Sequence, residues 1–370
     1  MNIGFDAKRA FHNFAGLGNY SRLLIQSLSD LNKDNRYFLY TPKYKPHPLH
    51  DFADSNHCTI ITPNGITSWL PSSFWRTFFM ANHINTQNID IFHGLSGELP
   101  VSMLKMPKVV TIHDLIFMRY PEYYTVFDRN MYEKKFKHAG KIADKIIAIS
   151  KQTADDCIRL LRVDPNKIEI VYQSCDPIFL TPKKDDEISK KYGLPEKFIL
   201  NIGTIEARKN LLNLVKALNF IDDDVSLVVI GRKTPYTALV ETYMKEKNLS
   251  HRVKLMHDVP FRDFPAIYAT AAAFAYPSVF EGFGIPVLEA LSVGTPIATS
   301  NISSMPEVGG DAVLYFDPYN IVDIADKINL LLRDKETVAK LNHYRTTQLQ
   351  KFSIQSIARN INEIYTNLAC

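Results

Sequence analysis

Short apolar runs recur along this chain, each followed by a stretch of helical periodicity, and the whole pattern is played twice. In the first half the runs are 2–6 (NIGFD), 36–41, 58–62, 89–93, 108–114 (KVVTIHD), 145–150 and 167–172. In the second half they are 198–203 (FILNIG), 226–231 (SLVVIG), 252–257, 273–278 (AFAYPS) and 313–318. They are rich in Ile and Val, as strands buried on both faces are, and such strands belong to parallel sheets covered by helices. Alternation with helices makes each set a doubly wound α/β sheet. A length of 370 residues accommodates two such domains. The expected boundaries are 1–178 and 179–352. The polar stretch LTPKKDDEISKKYGLPEK (180–197) supplies the connection and the first helix of the second domain.

Several function classes fall away on composition. The four cysteines share no close spacing and no Cys/His cluster occurs, so neither a metal site nor a disulfide framework is expected. The net charge of +4 is too mild for nucleic acid as a partner. No apolar run reaches the length of a membrane span, and MNIGFDAKRAF lacks the apolar core of an export signal. A cytoplasmic protein is the expectation.

Open parallel sheets bind ligands beyond the carboxyl ends of their strands, so residues just after the strands are the candidates. Glu281 follows the run 273–278, and Glu289 comes eight positions later in VFEGFGIPVLEALSVGTPIATS. Gly282 and Gly284 permit a sharp turn, Pro286 suits a helix start and Gly294 its end. The helix N-terminus is an anion site, while the two carboxylates suit sugar hydroxyls beside it. The plainer alternative is two solvated glutamates near a helix start. A second stretch, GTIEARKN, ends a strand at Gly203 and places Arg208 and Lys209 where a helix begins, a combination suited to a diphosphate. Gly16 and Gly18 in AGLGNYSRLL let backbone approach a ligand, without the spacing of a nicotinamide fingerprint, and no P-loop sequence is present. His113 ends the strand VVTIHDL, within reach of a bound sugar or leaving group, though a lone His is more often structural. The acidic run IDDDV (221–225) precedes a strand rather than following one, so it reads as a solvated loop and no divalent cation is expected.

Together these motifs resemble the retaining nucleotide-sugar glycosyltransferases of the GT-B fold, the large group called family four or group 1. The resemblance is strongest over 200–318 and is carried by FILNIGTIEARKN, AYPSVFEGFGIPVLEALSVGTPIATSN and SSMPEVGGDAVLYFDP. It implies two Rossmann-like domains facing across a cleft, with the C-terminal helix (353–370) crossing back onto the first. It implies that Glu289 holds the donor ribose. Glu281 would meet the transferred sugar, helped by the amides of Gly282, Phe283 and Gly284. Arg208 and Lys209 would neutralise the donor diphosphate, which the Gly16–Gly18 helix start would approach. His113 would touch the sugar, and backbone near Met256–Val259 would meet the base. The interlobe segment VYQSCDP lacks the asparagine-glycine that such enzymes usually carry before the aspartate.

The opening FDAKRAFHN…GLGNYSR is similar to mannosyltransferase-like members of bacterial surface-polysaccharide pathways, which favours GDP-mannose over UDP-sugars as co-substrate, with no other cofactor. The acceptor would be a glycan or lipid-linked sugar. A nucleotide-sugar epimerase of the same fold is the alternative enzyme. Residues 69–84 (WLPSSFWRTFFMANHI) hold both tryptophans and read as a core helix in preference to a membrane-facing one. The basic stretch 129–145 could rest on anionic headgroups at the inner face of the cell membrane, or be a solvated helix face. No residue pattern sets an oligomeric state.

Overall fold

The computed structural model describes residues 1–181 and 184–369. The predicted connection at 180–197 therefore falls partly outside the described residues, at 182 and 183, as does the last residue of the predicted C-terminal helix. The chain forms two compact units, Met1–Ser174 with the segment from Ser353 onward, and Cys175–Phe352.

The first unit carries seven strands: β1 (Asn2–Asp6), β2 (Arg36–Tyr40), β3 (Cys58–Ile61), β4 (Ile91–Gly94), β5 (Lys108–Ile112), β6 (Lys145–Ala148) and β7 (Ile168–Ile170). Their order in the sheet is β3-β2-β1-β4-β5-β6-β7, with every pairing parallel. The second carries β8 (Phe198–Ile202), β9 (Ser226–Ile230), β10 (Val253–Met256), β11 (Ala273–Tyr276), β12 (Ile297–Ser300) and β13 (Leu314–Phe316), ordered β10-β9-β8-β11-β12-β13 and again parallel. Each sheet thus reverses its winding once, between β1 and β4 and between β8 and β11.

The apolar runs become strands because burial on both faces rewards continuous Ile and Val. Ile146, Ile147, Val228 and Val229 are wholly buried. The sequence reading missed β12. IATS is four residues of strand with one β-branched aliphatic, and only its place between β11 and β13 makes it one. Gly16 and Gly18, expected in a turn ahead of a helix, lie inside the first turn of the helix Gly16–Leu31. The stretch 69–84 is a three-part helix: Ser72–Phe74, a π-helical turn Trp75–Phe79, and Met80–Thr86. Its inner face, with Trp75, Met80, Ala81 and Ile84, joins the core under the first sheet, whereas Phe74 and Phe78 stay about half exposed. The C-terminal helix buries Ile357, Ala358, Ile361 and Tyr365 in the core shared by β1, β2 and the Gly16–Leu31 helix.

Candidate functional site

The loops leaving β8 and β11, at the winding reversal of the second sheet, hold Gly203 to Lys209 and Pro277 to Glu281. Arg208 and Lys209 sit in a single 3₁₀ turn, Ala207–Lys209, not in the first turn of a helix. Asn210 at φ 58° separates them from the helix Leu211–Ala217, and its side-chain amide ties it to the carbonyls of Pro277 and Pro318.

Both cations converge on one carboxylate oxygen. Lys209 Nζ lies 2.5 Å from Glu281 Oε1, and Arg208 Nη1 lies 2.9 Å from it. Ser278 and Tyr276 donate hydroxyl hydrogen bonds to the same oxygen, at 2.7 and 3.0 Å. Arg208 reaches Glu206 with its other nitrogen, 2.6 Å away. Burial alone would raise the Glu281 carboxyl, but Lys209 and Arg208 outweigh it and hold it at about 2. Burial lowers the Lys209 ammonium, with Glu281 pulling it back up. Burial also works against the Arg208 charge, but Glu281 and Glu206 more than offset it. The two cations are therefore already neutralised by Glu281 and Glu206, and a diphosphate would compete for them.

The turn 281–284 is clamped from the other side. Ser303 accepts from the Glu281 amide at 3.1 Å and donates to its carbonyl at 2.7 Å. Ser304 donates to the carbonyls of Glu281 and Phe283. Phe283 is buried against the Phe352 ring. Gly284 has φ 108° and caps the helix Ile285–Val293, and a Cβ there would meet Met305. Pro286 stands in the helix's first turn and Gly294, at φ 91°, ends it, as the sequence implied.

Glu289 lies in that helix with different company. Both glutamates are buried rather than solvated. Glu289 accepts a hydrogen bond from Tyr268 at 2.9 Å, and burial pushes its carboxyl up to about 7. Gly203 directly follows β8 and lies beside Gly231, which directly follows β9, so close that a Cβ on Gly231 would strike the Gly203 carbonyl. Val259 is half-buried in the loop after β10, following Asp258 at φ 58°. The acidic run 221–225 forms ion pairs with Lys197, Arg252 and Arg333. Among the described residues no group of three His, Cys, Asp or Glu side chains is placed to hold a metal ion.

The first unit holds the remaining candidates. A Cβ on Gly18 would lie 1.6 Å from the Asn13 carbonyl oxygen, whereas one on Gly16 would meet nothing within 4 Å. His113 lines a cavity and has a partner at each ring nitrogen. Its Nε2 lies 2.9 Å from the Leu95 carbonyl, which can only accept, so Nε2 carries the proton and Nδ1 accepts from Gln173 at 3.2 Å. Burial holds the ring down at about 4, so it is neutral. A buried chain behind it was not foreseen: Tyr365 OH is 2.6 Å from His93 Nδ1, and His93 Nε2 is 2.8 Å from Thr111 Oγ1. Tyr20 OH is 3.1 Å from the same Thr111 oxygen, and its ring meets the His113 ring edge-on.

Two cavities open at the winding reversal of the first sheet. One, of about 180 Å³, is walled by Phe117, Tyr124, Tyr132 and Phe136, with Arg9, Glu98 and Asp114 among its polar groups. The other, of about 130 Å³, contains Arg76, Lys134, Lys135 and His138, and shares Glu98 with the first. No short motif announces these residues. They come from the end of β1, the loop after β4 and several helices, and only the fold assembles them.

Residues 183–348 match the family model for glycosyl transferases group 1, and residues 14–178 match that for glycosyltransferase family 4. The chain is 31% identical over 252 residues to O-antigen chain mannosyltransferase B of Escherichia coli, covering 66% of this chain and 65% of that protein. It is 27% identical over 237 residues to O-antigen chain mannosyltransferase RfbU of Salmonella typhimurium, covering 64% of each. These matches therefore span slightly less than two thirds of the relatives' own length. Among solved structures, sucrose-phosphate synthase from Thermosynechococcus elongatus superposes with a TM-score of 0.76 at 20% identity, over 100% of this chain and 99% of that one. At that identity the likeness shows the fold, two Rossmann-like domains of the GT-B architecture.

Proposed function

The chain belongs to the family 4, group 1 glycosyltransferases, and from that premise we propose that it moves a hexose from a nucleotide-diphosphate sugar to a glycan or lipid-linked acceptor, with retention at the sugar carbon. The second unit takes the donor and the first takes the acceptor. The observation that carries the reading is the meeting of Arg208, Lys209 and Glu281 at the carboxyl ends of β8 and β11. All four donors to Glu281 reach Oε1. Its second oxygen is then the acceptor for a sugar hydroxyl, while the diphosphate draws the two cations toward itself. Glu289 accepts from the ribose hydroxyls. Gly203 and Val259 lie at the carboxyl ends of β8 and β10, where the nucleotide base and ribose would rest.

The chemistry asked of the protein is electrostatic. As the glycosidic bond breaks, negative charge builds on the leaving diphosphate, and Arg208, Lys209 and the amides of Gly282, Phe283 and Gly284 stabilise it. The departing phosphate oxygen helps to take the acceptor proton, so no nucleophilic side chain is required. His113, neutral and fixed by Leu95 and Gln173, acts by shape and by holding the wall of the aromatic cavity. The relatives' names favour mannose as the hexose, in surface-polysaccharide assembly, and the likeness of the opening FDAKRAFHN…GLGNYSR favours GDP as its carrier. No helix among the described residues is long and apolar enough to cross a membrane. Contact with the inner face of the cell membrane would be peripheral, through the half-exposed Phe74 and Phe78.

A thermal-shift panel of GDP- and UDP-sugars tests the proposal, because a ligand that binds only the folded state raises the melting temperature by mass action. One donor should raise it in the wild type and not in Glu289→Ala. No shift with any nucleotide sugar overturns the reading. Conversion of a free donor without acceptor would identify an epimerase instead. Transfer should persist in excess EDTA, and loss of activity restored by manganese would overturn the metal-independent chemistry.

A further inference from the structure

A chain of four buried rings connects the two glutamates of the second unit. Phe179 meets Tyr268 edge-on with ring centres 5.8 Å apart, Tyr268 lies 5.2 Å from Phe274, and Phe274 stacks on Tyr276 at 5.8 Å. Phe274 and Tyr276 are two residues apart on β11, so their side chains share one face of the sheet. Tyr268 comes from the helix Phe264–Thr270, and its carbonyl accepts from the Thr295 hydroxyl at 2.7 Å. None of the four rings is more than 1% exposed. Two of them carry hydroxyls that packing does not require, because phenylalanine fills nearly the same space and leaves no polar atom to satisfy. Each hydroxyl ends on a different glutamate. Tyr268 donates to Glu289 Oε2 at 2.9 Å, and Tyr276 donates to Glu281 Oε1 at 3.0 Å. Burial and then Glu289 push the Tyr268 phenol well above its usual value, and burial and then Glu281 do the same to Tyr276. Both phenols keep their protons and act as donors.

Each tyrosine occupies one carboxylate oxygen and leaves the other. Among the described residues no hydrogen bond reaches Glu289 Oε1 or Glu281 Oε2. The last torsion of a glutamate is broad, so an untethered carboxylate turns freely about it. A hydroxyl held in a packed ring stops that rotation and settles which oxygen is presented. The Pro286 carbonyl lies 3.2 Å from the Tyr268 hydroxyl, but the carboxylate is nearer and is the stronger acceptor. Glu289 has no ion pair and no second side-chain donor among the described residues, so its orientation rests on Tyr268. Glu281 is held by Ser278, Arg208 and Lys209 as well, and Lys209 Nζ also reaches the Tyr276 oxygen at 2.5 Å.

We propose that Tyr268 and Tyr276 are positioning residues for two different parts of the donor: Tyr268 aims Glu289 Oε1 at the ribose hydroxyls, and Tyr276 aims Glu281 Oε2 at the transferred sugar. Neither tyrosine touches the donor itself. The shared ring stack fixes both hydroxyls on one rigid support, so the two acceptor oxygens keep a set spacing before any ligand arrives. Tyr268 carries the larger share, since Glu289 has no other tether. This assignment rests on the reading of Glu289 as the ribose acceptor and Glu281 as the sugar acceptor, and it adds the residues that orient them.

Calorimetry with GDP, 2′,3′-dideoxy-GDP and GDP-mannose tests it, with the matching uridine series in their place where the melting panel selects uridine. Tyr268→Phe should weaken GDP by about tenfold and leave 2′,3′-dideoxy-GDP as in the wild type, because the lost bond acts through the ribose hydroxyls. Tyr276→Phe should keep the GDP affinity and weaken GDP-mannose by about threefold, the smaller loss reflecting the other tethers of Glu281. Phe274→Leu loosens the same rings without removing a hydroxyl, and should show neither selective loss. Equal losses for GDP and its dideoxy form in Tyr268→Phe would show a packing role and overturn the assignment. So would the same selective pattern in Phe274→Leu, or wild-type affinity for all three ligands in Tyr268→Phe. The Tyr276 measurement is read by itself, so a Tyr268→Phe chain that does not fold still leaves the pairing open to refutation. Wild-type protein that binds neither nucleotide series overturns the donor reading and this assignment together, whereas wild-type binding with unselective losses overturns only this one.

Discussion

At the residue scale the two glutamates are opposites. Glu281 is anionic at about 2 because four donors meet one oxygen, and Glu289 is raised to about 7 because burial has only Tyr268 to answer it. A carboxyl whose pKa is raised by folding adds stability that is complete below its unfolded value near 4.5 and is lost as pH rises through about 7. Chemical denaturation should therefore show Glu289→Gln gaining on the wild type between pH 5 and 8, by up to about 3 kcal/mol at the upper end. A constant difference across that range would show the carboxyl to be ordinary. Arg208→Ala should lower kcat by about a hundredfold or more with a smaller change in KM, because its charge is needed most as the diphosphate departs. An unchanged kcat would remove Arg208 from the reaction. The sequence named both glutamates and both cations. It could not show that they neutralise one another, because Arg208 and Glu281 lie on different loops and meet only when β8 and β11 pair.

At the scale of single elements, the Gly16–Leu31 helix separates two roles the sequence had merged. Gly18 is required by the Asn13 carbonyl against it, whereas Gly16 faces open space. Gly18→Ala should cost roughly 2 kcal/mol or more, since backbone must move. Gly16→Ala should leave stability equal or raise it by about 0.5–1 kcal/mol. If Gly16→Ala folds normally and loses donor affinity, ligand approach is its role, and full activity would end that assignment. Urea midpoints together with calorimetry read both outcomes. Strands and helices with strong periodicity were legible in advance. β12 was not, because it is four residues long, only Ile297 and Thr299 favour a strand, and its neighbours on both sides decide it. The π-helical turn at Trp75–Phe79 was also illegible, yet it helps to set which aromatic rings point inward.

At the scale of the whole molecule, the last helix belongs with residues far from it in the chain. Ile357, Ile361 and Tyr365 are buried in the first unit's core, and Tyr365 supplies the hydroxyl beside His93. Each such side chain contributes about 2 kcal/mol of burial. Removing the chain after Phe352 should therefore strip hydrogen-exchange protection from β1 and β4 while leaving β8 to β13 protected. Loss confined to 198–316 would contradict the assignment of that helix to the first unit. The sequence by itself determined the fold class, the two rounds of parallel sheet and the carboxyl-end motifs of the second unit, since burial periodicity and turn residues are local. Tertiary structure alone decided which charges pair, which nitrogen of His113 holds the proton, and that Arg76, Glu98, Lys134 and Lys135 share a cavity. Those depend on distances between segments far apart in the chain, and no local pattern of residues encodes a distance that only packing creates.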